Sequence, residues 1–109
     1  MHSNLPPPTK VRVRKKTVSE KTIETTVCQY ARSNGILTYK FTSPNRRSVP
    51  DRLFLGPGGL IFFVEFKAPG KKPTESQARE IRRLREIGHI VEVIDNLLAG
   101  QRLIDGLLE

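Results

Sequence analysis

The segment Leu60-Ile61-Phe62-Phe63-Val64-Glu65-Phe66-Lys67 constrains this chain more than any other. Five consecutive apolar residues specify a β-strand buried on both faces, and such strands seldom admit charge. This one ends on two. Side chains alternate along a strand, so Glu65 and Lys67 share one side, about 6–7 Å apart along the backbone. Phe66 points the other way, into the core. A carboxylate and an ammonium in a partly desolvated spot are costly without a partner or a metal.

The rest of the chain supplies elements around that strand. Gly56-Pro57-Gly58-Gly59 turns it back on a partner strand over 51–55, which makes a hairpin. Upstream, Ser19 caps a helix whose stripe Ile23, Val27, Tyr30 and Ala31 runs until Gly35. Residues 36–42 read as a strand, with Leu37, Tyr39 and Phe41 alternating against Thr38 and Lys40. Downstream, Thr74 opens a helix with the stripe Ala78, Ile81 and Leu84, ending at Gly88. A short apolar strand over 90–94 and an amphipathic helix over 96–108 complete the series. The order α-β-β-β-α-β-α implies an α/β fold, a mixed sheet with helices on its faces, in one domain over 18–109. Residues 1–17 carry Pro6, Pro7 and Pro8 and then five basic residues without an acidic one, the pattern of a flexible basic arm.

Composition removes other classes. No run of about 18 apolar residues is present, so no membrane span is expected. A single cysteine, Cys28, rules out an intramolecular disulfide framework and a cysteine-rich zinc site. The N-terminus lacks the layout of a signal peptide, and a reducing cytoplasmic setting is expected. Nineteen Lys and Arg against eleven Asp and Glu give a formal charge of +8, which favours polyanionic partners. Aromatics make up 6% of the chain and Trp is absent, so a stacking platform for single strands is not the expected mode.

An isolated Glu-x-Lys is most often a structural ion pair. Pro50-Asp51, opening the neighbouring strand, changes the reading. Antiparallel pairing brings Asp51 close to Glu65, and two converging carboxylates repel unless a cation separates them. Oxygen ligands suit Mg2+ or Mn2+, and no His or Cys cluster argues for zinc.

Asp51 followed by Glu65-Phe66-Lys67 after an apolar strand resembles the PD-(D/E)xK nuclease core, and the VRR-NUC branch resembles it most. The resemblance runs from about Ser19 to Asp95. It includes the first-helix glutamate, Arg46-Arg47-x-x-Pro50-Asp51, the Gly-rich hairpin, Val64 to Pro69 and Gln77. Ser48 departs from it, since the family commonly has Gly there, and a changed loop with a retained site is expected. The chain is similar to the stand-alone phage or bacterial type.

The resemblance implies a restriction-endonuclease-like fold and a set of roles. Asp51, Glu65 and the Phe66 backbone carbonyl would hold Mg2+ or Mn2+, Lys67 would orient or deprotonate the attacking water, and a helix glutamate would complete the shell. Glu20, early in the helix and expected on its buried face, is favoured, with Glu24 as the alternative. Gln77 shares a face with Ile81 and Leu84 and would reach the sheet edge near Lys67, although it also fits a capping box with Thr74. Arg46 and Arg47 stand before Asp51 within reach of DNA phosphates, and Lys40 is expected toward the same cleft. Lys71, Lys72, Arg79, Arg82 and Arg83 read as a phosphate-attracting surface.

The expected activity is metal-dependent endonucleolytic cleavage of DNA, with four-way (Holliday) junctions or other branched DNA as the substrate implied by the resemblance. The alternatives are a non-catalytic nucleic-acid-binding module with a nuclease-like fold and a small basic RNA-binding protein. Two symmetric cuts in a junction call for a homodimer, and the surplus leucines of the last helix, Leu97, Leu98, Leu103, Leu107 and Leu108 with Ile104, offer an interface.

Overall fold

The computed structural model describes residues 18–108, and the expected basic arm over 1–17 lies outside them. The elements follow in the expected order: α1 (Glu20–Ser33), β1 (Leu37–Lys40), β2 (Arg52–Leu55), β3 (Ile61–Phe66), α2 (Glu75–Glu86), β4 (Ile90–Ile94) and α3 (Leu97–Leu107). Each helix starts on a side chain that accepts a backbone N–H: Ser19 from Thr22, Thr74 from Gln77, and Asn96 from Ala99. The sheet order is β1-β2-β3-β4, with the first two pairings antiparallel and β3–β4 parallel. Helix α2 is the crossover that a parallel pair requires. Gly58 and Gly59, at φ of 72° and 79°, make the turn into β3, a conformation that other residues rarely adopt.

Helices α1 and α3 cover one face of the sheet. Phe54, Phe62, Val64, Phe66 and Ile94 meet Ile23, Val27, Cys28, Ala31 and Ile104 there. Phe54, Phe62 and Phe66 are almost fully buried, each worth about 1.5–3 kcal/mol. Helix α3 lies so close to α1 that a Cβ on Gly100 would fall 2.4 Å from a Val27 methyl. The Tyr30 hydroxyl donates to Asp105 across the same contact.

The second face is covered only in part, because α2 packs on β4 and stops short of the far strands. The expectation of a strand buried on both sides is corrected accordingly: Ile61 is exposed and Phe63 half-buried against Phe41. The apolar alternation of β1 also faces outward. Leu37 and Tyr39 lie on the uncovered side, whereas Thr38 points in and accepts from Arg32.

Candidate active site

The site grows from the end of the hairpin. Arg52 pairs with Val64, so continuing the register by one residue sets Asp51 across from Glu65. Asp51 is fixed there by the Phe66 N–H, which donates to its Oδ2 at 2.8 Å. Glu65 is buried, with 2% exposure, although it ends a strand beside solvent. Lys67 projects to the same side, its Nζ 3.4 Å from Glu65 Oε2 and 2.7 Å from Gln77 Oε1. Gln77 reaches Lys67 without leaving the helix cap, since the same oxygen accepts the Thr74 N–H at 2.9 Å. The two readings of Gln77 therefore hold together.

Charge at this spot is only partly compensated. Burial, and then the facing Asp51, push Glu65 up to about 7, against the pull of Lys67; Glu20 adds a further push. Burial likewise raises Asp51, opposed chiefly by the Phe66 N–H, with Glu24 adding repulsion. Two carboxylates that resist ionising together form a site that a cation would relieve. The donor set is oxygen only, and among the described residues no group of three His, Cys, Asp or Glu side chains converges. Oxygen donors are of the kind that suits Mg2+ or Mn2+, which keep several waters and take one or two carboxylates.

No family model matches the chain. The "Putative nuclease p44" of Acyrthosiphon pisum secondary endosymbiont phage 1 is 51% identical over 79 residues, which span 72% of this chain and 85% of the phage protein. A solved VRR_NUC domain matches with a TM-score of 0.74 at 31% identity, over 79% of this chain and 94% of that one. This chain belongs to the VRR_NUC nuclease family. A second solved structure, a VRR_NUC domain protein, shares the fold with a TM-score of 0.65 at 16% identity over 83% of this chain and 88% of that one.

Within this VRR_NUC nuclease the first-helix glutamates occupy positions that the sequence pattern inverts. Glu20, expected on the buried face, is exposed along with Lys21 and Thr22, and the packing of α1 on the sheet begins only at Ile23. Glu24, one turn on, is the buried one. Its Oε2 accepts from Arg52 Nε at 2.8 Å and lies 3.5 Å from Lys40 Nζ. Lys40 therefore faces opposite to Tyr39, as expected, but is bound to Glu24. Arg52 has no place in the sequence reading. The available signal was a charged residue alternating with Asp51, on the core side of a strand, opposite a glutamate in the Ile23–Val27 stripe.

The basic residues separate by location. Arg46 and Arg47 line one hollow with Asp51, as expected. Arg46 also lies 3.4 Å from Glu80, a buried residue absent from the sequence reading. The Ser48 hydroxyl bonds to that of Ser76 at 2.8 Å, so the departure at Ser48 ties the loop to α2. Lys71 and Lys72 are exposed on the turn after β3. There, Lys72 acts on Asp95, which hydrogen bonds from Asn96 and the Gly70 N–H hold below the usual carboxylate range. Cys28 is buried in the core, and burial raises its thiol.

Proposed function

We propose that this protein is a Mg2+- or Mn2+-dependent endonuclease that hydrolyses phosphodiester bonds in DNA, with branched DNA such as four-way junctions as its substrate. The observation that carries this reading is the pair Asp51 and Glu65, set across one strand pairing with raised carboxyl pKa values and with Lys67 alongside. Asp51, Glu65 and the Phe66 carbonyl would hold the ion. Glu20, whose charge acts on Glu65, would complete the shell through water better than Glu24, whose carboxylate is already taken by two cations. The bound ion would supply Lewis acidity and a water of lowered pKa. Lys67, steered by Gln77 and Glu65, orients that water and faces charge developing on the phosphate. Arg46 and Arg47 bring the phosphate toward Asp51, and Lys40, Lys71 and Lys72 add attraction.

Junction cleavage needs two cuts, and a C2 homodimer would supply them. Leu97, Leu98 and Leu108 of the last helix remain exposed and support such an interface, whereas Ile104 is spent on the core. The arm over 1–17 is assigned to phosphate binding. The test is cleavage of labelled four-way junction, flap, single strand and linear duplex, with and without each metal. Metal-dependent cutting with junctions preferred is expected. Binding without any cutting at stoichiometric protein would leave the non-catalytic module as the reading.

A further inference from the structure

A second charged cluster lies beside the carboxylate pair, in the notch between the loop over 43–50 and helix α2. Arg46, Arg47, Arg79 and Arg83 line it, together with Ser48 and Ser76. At its base is Glu80, whose side chain is 10% exposed and whose Oε1 lies 3.4 Å from Arg46 Nη1 and 3.3 Å from Arg83 Nε. One buried carboxylate thus aims two guanidinium groups from different elements at the same opening. The Ser48–Ser76 hydrogen bond closes the far wall. Four cations against the buried Glu80, with only the exposed Glu75 3.9 Å from Arg79 beside them, leave the notch net positive. Guanidinium groups held in place lose little freedom when they fork onto a phosphate. Arg46 and Arg47 also line the hollow that contains Asp51, so the notch and the carboxylate pair open onto one continuous surface.

We propose that this notch is a built cradle for a backbone phosphate of the bound nucleic acid, separate from the reacting phosphate, and that Glu80 is its positioning residue. The proposal deepens the nuclease reading and rests on it for the identity of the ligand. The α2 arginines then divide. Arg83 and Arg79 belong to the cradle, whereas Arg82 lines a different hollow beside Val93.

The test is the affinity of the full chain for a labelled junction and duplex across a salt series in EDTA, where no cleavage intervenes. Arg83→Ala should weaken binding about tenfold, the loss of one charged hydrogen bond, and flatten the salt slope by about 0.9. Arg102→Ala, at an exposed side chain on the far side of the sheet from α2, removes the same charge and should cost less than about twofold by long-range attraction alone. Glu80→Gln discriminates most sharply. It raises the net charge by one, so bulk attraction predicts tighter binding; the cradle predicts weaker binding, by about threefold, because the anchor of both guanidinium groups loses its charge. Tighter or unchanged binding by Glu80→Gln overturns the proposal, as does an Arg83→Ala loss no greater than that of Arg102→Ala. If thermal melting shows Glu80→Gln unfolded, the arginine pair decides. Cleavage in Mg2+ is scored separately. A protein that binds through the notch without cutting upholds the cradle and removes the nuclease reading, and one that cuts with Arg83→Ala equal to Arg102→Ala does the reverse.

Discussion

Two buried glutamates, one on each face of the same sheet, show how different a charged residue's circumstances can be. Glu24 lies between α1 and the sheet with Arg52 at 2.8 Å and Lys40 at 3.5 Å, so its charge is answered twice. Glu65 has one cation at 3.4 Å, a second carboxylate across the strand pairing, and almost no solvent. The first arrangement is complete and holds the helix on the sheet. The second sets two carboxylates against one nearby cation, the shortfall that the bound ion of the proposed function would fill.

Substitutions should break this comparison unequally. The largest effect is expected on catalysis: Asp51→Asn and Glu65→Gln should each lower single-turnover cleavage by on the order of 10³ or more, with DNA binding unchanged or tighter. Lys67→Ala should lower it similarly but leave metal affinity intact, as read by calorimetry. Unaltered Mg2+ or Mn2+ affinity in the two carboxylate variants would refute the roles assigned to them.

The next effect is on stability without metal. Glu65 ionises near 4.5 in the unfolded chain and at about 7 in the fold. Across that window the folded state keeps a proton that the unfolded state has released. Stability therefore falls as pH rises from about 4.5 to 7, by up to about 3 kcal/mol, and levels off above. Glu65→Gln should flatten this decline and be the more stable protein at pH 8 in EDTA. Melting curves with the same pH dependence in both proteins would contradict it.

Glu24→Gln should behave oppositely. It leaves Arg52, only 17% exposed, without its carboxylate and should destabilise by about 2 kcal/mol. Cleavage at saturating metal should stay within a few-fold, and a loss as large as that of Glu65→Gln would make Glu24 part of the reacting site. The smallest effect belongs to Gln77→Ala, which opens the capping box for about 1 kcal/mol and frees Lys67. Cleavage should drop about tenfold while metal affinity holds.

What could be read in advance divides along physical lines. The hairpin, the capping box and the shared side of Glu65 and Lys67 follow from local chemistry: turn glycines, spacing of three, and alternation of two. Those patterns are carried by adjacent residues. The Glu24–Arg52 pair joins residues 28 apart, and Arg46–Glu80 joins residues 34 apart. Both depend on how far a helix slides along the sheet, which no local pattern encodes. The same is true of Glu20, whose exposure is set by where the packing of α1 begins. Leu37 and Tyr39 show the complementary failure, an apolar alternation whose covering layer ends before reaching it.

Asp51 performs a second task that bears on how an inactive form should be made. The Phe66 N–H faces β2 one residue past the last regular pair, and the Asp51 carboxylate receives it in place of a backbone carbonyl. The side chain thus serves as the final rung of the β2–β3 ladder as well as half of the carboxylate pair. Alanine at this position would remove the carboxylate and fray the hairpin together, mixing loss of the proposed chemistry with loss of shape. Asparagine keeps an amide oxygen for the rung and discards only the charge, which makes Asp51→Asn the form suited to trapping uncut nucleic acid on the protein.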